Sequence, residues 1–284
     1  MESYDNVTVH TYSSPSPGSV NSFLIETPDG IIIVDAQRVI STATKLVEQV
    51  KTTGKPVLGI ILTHAHPDHF GGLSVLATEF PDAPIYASQE THDNIKNDKQ
   101  GFVKLSQETL GDDFPAEVAL PTSIIKSGES FTLGGVTFRA EDIGDGEGSS
   151  MMMFHLPKQN VLFAGDLVQH KTIPFLLENR SSDWLEQLDK YSASYSGVKT
   201  LYPGHGKHGD LKELIDAQRE YLTTFRQLVS EELKGKNSIS DEAKQAIVGE
   251  MQKRYPNYDT AAAIPDLLEQ NVDALVKELQ SADS

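Results

Sequence analysis

The sequence predicts an α/β fold. Short apolar runs bounded by turn residues alternate with a helix-favouring segment early in the chain, and a second block of strand-like runs lies between residues 123 and 164. After about residue 210 the chain turns charged and helix-favouring. With 284 residues it is long enough to bury a sizeable core without staples.

Val7 to Tyr12 and Val20 to Glu26 carry β-branched and aromatic residues in partial alternation. The Pro28-Asp29-Gly30 turn then leads into Ile31 to Val34, so a hairpin feeds the core and Asp35 ends it. Ser41 to Val50 reads as a helix stopped by Gly54. Val57 to Leu62 is a short buried strand, Gly72 to Phe80 a helix and Pro84 to Ala87 a strand. Residues 88 to 121 are polar, a mixture of helix and loop. Phe131 to Leu133, Val136 to Ala140, Met151 to Leu156 and Val161 to Ala164 follow as strands, the last two joined through Lys158-Gln159-Asn160. Asp183 to Ala193 reads as a helix in which Asp183 and Glu186 have the spacing of a capping box. Leu201-Tyr202 ends a short strand before Pro203-Gly204-His205-Gly206. Leu211 to Leu233, Ser240 to Arg254 and Pro265 to Leu279 form a helical tail. The expected division is therefore 1–210, with 211–284 a helical extension packed on it, covering the cleft or offering a homodimer contact.

The chain has no cysteine, which excludes disulfides, thiolate nucleophiles and cysteine-bound metal. Any metal must rest on nitrogen and oxygen. A net charge of −17 disfavours nucleic acid and anionic membranes as partners. A small anionic substrate held by a local metal charge stays open. No apolar run approaches the roughly 18 residues of a membrane span, so no membrane insertion is expected. Met1 to Asn6 is polar and acidic, unlike a signal peptide. The expected compartment is cytoplasmic by default, or secreted or periplasmic if a leader has been removed.

The densest chemical signal is Thr63-His64-Ala65-His66-Pro67-Asp68-His69-Phe70-Gly71-Gly72. Three histidines and an aspartate fall within six positions directly after a buried strand, where a strand-end loop can aim several side chains into one cleft. Imidazole and carboxylate suit zinc, iron or manganese. The plain alternative is a histidine-rich surface loop, which does not account for the apolar strand before it or the Gly-Gly after it.

This segment resembles the signature of the metallo-β-lactamase superfamily. Val20-Asn21-Ser22-Phe23-Leu24 and Asp29 to Asp35 are similar to that family's opening hairpin, Leu162-Phe163-Ala164-Gly165-Asp166 to its Gly-Asp strand end, and Tyr202-Pro203-Gly204-His205-Gly206 to its late loop. The match runs in order from about residue 7 to 209. It implies an αββα sandwich and a hydrolase in which a hydroxide shared by two metals attacks the substrate. It also implies that His64 and His66 hold one metal, that Asp68, His69 and His205 hold the other, that Asp166 bridges them, and that Asp68 orients the attacking water. Two divalent ions are expected, zinc first.

One position departs from the pattern. Asp145, in Ile143-Gly144-Asp145-Gly146-Glu147-Gly148-Ser149, stands where the family usually places a third histidine. Three readings follow: Asp145 is itself a ligand, it does not bind, or a neighbour such as Glu147 or Asp142 binds in its place. The first is the working expectation, and an oxygen-rich site of that kind accepts manganese or iron more readily. His170 is a candidate substrate contact. Phe175 and Trp184 either wall the site or simply pack. Lys207 is the nearest cation for a substrate carboxylate.

The expected reaction is hydrolysis of a small ester, lactone, thioester or amide, with a β-lactam among the last. Absence of a Gly-x-Ser-x-Gly elbow agrees with a mechanism that needs no protein nucleophile. Two other classes stand beside it: an oxidoreductase with one iron on His64, His66 and Asp145, and a non-catalytic binding member of the fold.

Overall fold

Alternation along the strands sorts the apolar side chains into three cores, and the three cores define four layers. The computed structural model describes residues 1–16 and 18–282. A first sheet takes its seven strands in sequence order: β1 (Glu2–Tyr4), β2 (Val7–Ser13), β3 (Asn21–Glu26), β4 (Ile31–Val34), β5 (Val57–Ile61), β6 (Ile85–Ala87) and β7 (Ser123–Ile124). The second sheet is built from β8 (Ser130–Leu133), β9 (Val136–Gly144), β10 (Met151–Leu156) and β11 (Val161–Gln169). A short β12 (Thr172–Ile173) leaves it, and β13 (Thr200–His205) and β14 (Gly209–Asp210) complete it in the order β14-β13-β11-β10-β9-β8. β12 pairs instead with β15 (Asp259–Thr260).

Neighbouring residues on one strand point to opposite faces. Phe23, Ile25, Ile32 and Val34 therefore face Phe138, Phe154, Phe163 and Tyr202 between the sheets. Leu24, Ile31 and Ile33 face outward onto α1 (Ile40–Thr52), which buries Leu46, Val47 and Val50 there. Two short helices, α2 (Pro67–Phe70) and α3 (Leu73–Glu79), bury Phe70, Leu73 and Leu76 in the same core, while α4 (Gln89–Asn97) and α5 (Phe102–Leu110) follow β6. On the far side, Met151, Met153, Leu162 and Ala164 pack against α6 (Ser181–Ser194), α7 (Leu211–Leu233), α8 (Asp241–Arg254) and α9 (Leu267–Ala282). The result is the expected αββα sandwich with C-terminal helices laid on the second sheet.

Two local expectations change. The capping box at Asp183 does not form, because α6 starts two residues earlier with no side-chain cap of its own. Its first amides are satisfied from far along the chain: Ser181 and Ser182 N–H donate to the Glu278 carboxylate of α9 at 3.1 and 2.9 Å, and Arg226 of α7 pairs with that carboxylate at 2.6 Å. The helix end is thus capped by tertiary contact. The second change is that β11 does not stop at Ala164 but runs on to Gln169.

Candidate metal centre

Strand ends of both sheets deliver the cluster. His64 lies just past β5, Asp166 sits within β11 and His205 is the last residue of β13. Pro67 occupies the first position of α2, where its fixed φ suits a helix start, so Asp68 and His69 turn inward one after the other. The following Gly72 packs so tightly that a Cβ would sit 2.2 Å from the Ala36 carbonyl oxygen. Gly204 is needed for a closer approach still, since a Cβ there would lie 1.7 Å from Asp166 Oδ1.

His64, His66, Asp68, His69, Asp166 and His205 all meet as the sequence predicts, and all six are buried. Their ligand-capable atoms gather in overlapping groups, one with His64 and His66, one with His64, His69 and Asp166, and one with Asp68, His69 and His205. His205 Nε2 lies 3.2 Å from Asp68 Oδ2 and 3.3 Å from Asp166 Oδ2, and His69 Nε2 lies 3.3 Å from Asp166 Oδ1.

Asp145 is the correction. Its side chain is 47% exposed and pairs with Arg180 at 2.5 Å, outside the cluster. Glu147, only 3% exposed, takes the place, with Oε2 at 3.2 Å from His66 Nδ1 and 3.6 Å from His64 Nε2. The cause is the tight loop that Gly146 N–H closes onto the Gly148 carbonyl at 3.1 Å, carrying Glu147 inward and leaving Asp145 with solvent and Arg180. The one-iron site on His64, His66 and Asp145 loses its carboxylate accordingly. His170 is a second correction: it does not line the cleft, and its ring N–H donates to the Lys207 carbonyl at 2.8 Å, fastening the His205 loop from outside. Lys207 itself is exposed and away from the cleft. Phe175 walls the cleft, whereas Trp184 packs in the core and donates to the Leu167 carbonyl at 2.8 Å.

An outer ring of groups orients the ligands. Asp35, in the left-handed region at φ 60°, aims its carboxylate back under the cluster. It accepts from His69 Nδ1 at 2.8 Å and from the Thr63 amide and hydroxyl at 2.8 Å. His205 Nδ1 donates to the Gly18 carbonyl at 2.9 Å, and His66 Nε2 donates to Glu178 at 3.0 Å. The Gln169 amide donates to both Glu147 Oε1 (2.7 Å) and Asp166 Oδ2 (2.8 Å), tying the two carboxylates together. Gln169 carried no signal in the sequence beyond its place three residues after Asp166. Asp35 showed only as the end of a strand.

The electrostatics match a cation-binding cluster. Burial pushes His64 well below its ordinary pKa, and the neighbouring His69 and His66 act the same way. Burial also opposes charge on His66 and His205. For His66, Glu147 and Glu178 outweigh it and lift the pKa to about 10, and for His205, Asp166 and Asp68 do the same, also to about 10. Burial, reinforced by Asp166, raises Glu147 to about 8. A cation held among these groups would compete with their protons. The donor set fits divalent metal on a further ground: His64 Nε2, His69 Nε2, His205 Nε2 and Asp166 Oδ1 are buried without a hydrogen-bond partner. Buried polar atoms are normally satisfied.

Residues 15–205 match the family model described as the metallo-beta-lactamase superfamily. The chain belongs to that superfamily. Metallo-beta-lactamase IND-1 of Chryseobacterium indologenes is 26% identical over 191 residues, covering 66% of this chain and 72% of the relative. The linear primary-alkylsulfatase of a Pseudomonas strain is 25% identical over 227 residues, covering 68% of this chain and 42% of that longer protein. Among solved structures, a metallo-beta-lactamase family protein from Thermus thermophilus superposes with TM-score 0.71 at 20% identity, covering 98% of this chain and 94% of that one. Its likeness extends the shared fold over the C-terminal helices.

Proposed function

We propose that the protein is a metal-dependent hydrolase that uses two divalent cations, zinc first and manganese or iron as alternatives, to cleave a small ester, thioester, lactone or amide. The overlapping groups of buried ligand-capable atoms, four of them without a hydrogen bond, carry this reading. His64, His66 and Glu147 would hold one cation, Asp68, His69 and His205 the other, with Asp166 between them. When bound, such cations supply Lewis acidity: they lower the pKa of water from about 15.7 towards about 7 and stabilise developing negative charge.

The chain's own residues do the rest. Asp68, at the cleft floor beside His205, is placed to hold and orient the proton of the attacking water. Asp35 and Gly18 fix the tautomers of His69 and His205 so that each Nε2 faces inward. Arg38 lines the same cleft, and its guanidinium donates to the Ala262 carbonyl at the cleft wall. The alkylsulfatase likeness adds sulfate esters to the classes worth screening. His64, His66 and Glu147 retain the composition of a one-iron site, but the Asp68, His69 and His205 group beside them favours two cations.

Elemental analysis after gel filtration should find about two equivalents of metal per chain. Asp68→Ala should lower hydrolysis by more than about 100-fold, beyond the usual 10–100-fold loss for an outer-ring change, with an unchanged circular dichroism spectrum. One equivalent or none after reconstitution, or full turnover in that variant, would sink the two-metal reading.

A further inference from the structure

The cleft continues past the metal-ligand cluster into a cavity of about 620 Å³ whose floor is polar and whose walls are apolar. His66, Asp68, Glu147, Asp166 and His205 form the floor. Phe102 and Phe175 stand directly above it, each ring 5.5 and 5.4 Å from the His66 ring and 6.0 Å from the other. One whole face of α5 lines the space through Phe102, Leu105, Ser106, Thr109 and Leu110. These residues recur at i, i+3, i+4, i+7 and i+8, so the wall is a continuous stripe about 12 Å long at 1.5 Å per residue. The opposite wall comes from the C-terminal extension through Ile264 and Pro265, with Leu177 from the segment before α6. Leu105 is 55% exposed on this stripe, although few large apolar side chains of the described residues are left so open.

We infer that this protein acts on substrates carrying a medium-length, unbranched apolar chain, which lies between α5 and residues 264–265 while the scissile polar group sits on the metal-ligand floor. The inference rests on the hydrolase reading for the floor but not for the walls. A compact polar substrate would leave Phe102, Phe175, Leu105 and Ile264 lining empty or watered space. A chain threaded along the helical stripe removes that surface from water, worth about 25 cal/mol per Å². Arg38 is the one arginine or lysine among the described residues lining the cavity, so the rest of the wall offers little to a second, anionic end.

The test uses the metal-loaded full chain and para-nitrophenyl acyl esters from two to twelve carbons, below their critical micelle concentrations. KM should fall by up to about fourfold per added methylene, the equivalent of about 0.8 kcal/mol each, before levelling off. Leu105→Gln and Thr109→Trp, both at solvent-accessible positions, should flatten that slope. Straight-chain alkanoates of the same lengths, titrated by calorimetry, read the walls without any turnover. Chain-length-dependent binding with no hydrolysis of these esters would overturn the carboxylic-ester reading and keep the chain site. Hydrolysis with a KM independent of chain length, or a slope unchanged in both variants, would overturn the chain site and keep the hydrolase.

Discussion

The two halves of the candidate metal centre are supported by different hydrogen-bond arrangements. In the Asp68–His69–His205 half, each histidine is held from behind by its own acceptor: the buried Asp35 at the end of β4 for His69, and the Gly18 carbonyl for His205. In the His64–His66–Glu147 half, the candidate carboxylate sits on a glycine-rich loop, and His66 is shared between Glu147 and Glu178 at 3.2 and 3.0 Å. Outer-ring partners orient ligands and raise their basicity. The first arrangement orients its histidines through one acceptor each, while the second divides His66 between two carboxylates.

Breaking the Asp68–His69–His205 half should cost the most. Asp35→Ala removes the acceptor for His69 and for Thr63 together, and should weaken metal affinity about 10–100-fold, read by competition with a chromophoric chelator. A loss confined to the His64–His66–Glu147 half would reverse the contrast between the two. Gln169→Leu removes the amide that joins the halves, leaving Glu147 and Asp166 to repel each other. About a tenfold loss is expected, at the low end for an outer-ring partner, with both equivalents of metal affected. An effect on neither would show that the amide merely fills space.

The metal-free protein should lose stability as pH rises. His66 and His205 have folded pKa values of about 10 against an ordinary 6.5, so their contribution is complete below 6.5 and disappears as pH passes through about 10. Glu147, raised from 4.5 to about 8, acts in the same direction, because the unfolded chain ionises first and is favoured between those values. Melting temperature should fall from pH 6 to pH 10 without metal, and fall less with saturating zinc, measured by scanning calorimetry. A flat metal-free profile would mean the cluster is not held by these protons.

The smallest effect is expected at Asp145. Asp145→His changes a residue paired with Arg180 at the surface and should leave metal content and affinity within about twofold, since exposed ion pairs contribute little. Glu147→His should instead shift preference towards zinc by making the first half richer in nitrogen. If Asp145→His shifts the preference and Glu147→His does not, the two roles are exchanged.

By itself the sequence determined the α/β class and most elements, because period-two and helix-favouring patterns are local. It also picked out six residues that the fold brings together, because His64-x-His66-x-Asp68-His69 is contiguous and Asp166 and His205 each end a strand run with glycine beside them. Only the tertiary structure decided the rest. The choice between Asp145 and Glu147 hangs on how one loop closes between Gly146 and Gly148, and both carboxylates have the same local pattern. The cap of α6 comes from Glu278, 97 residues away from Ser181, and replaces the box that Asp183 promised. Arg38, Phe102 and Ile264 share one cavity only because β4, α5 and the C-terminal extension converge over the same strand ends. The histidine-aspartate cluster is written in short spacings, whereas orientation, outer-ring support and cavity shape depend on contacts between distant segments, which no local pattern encodes.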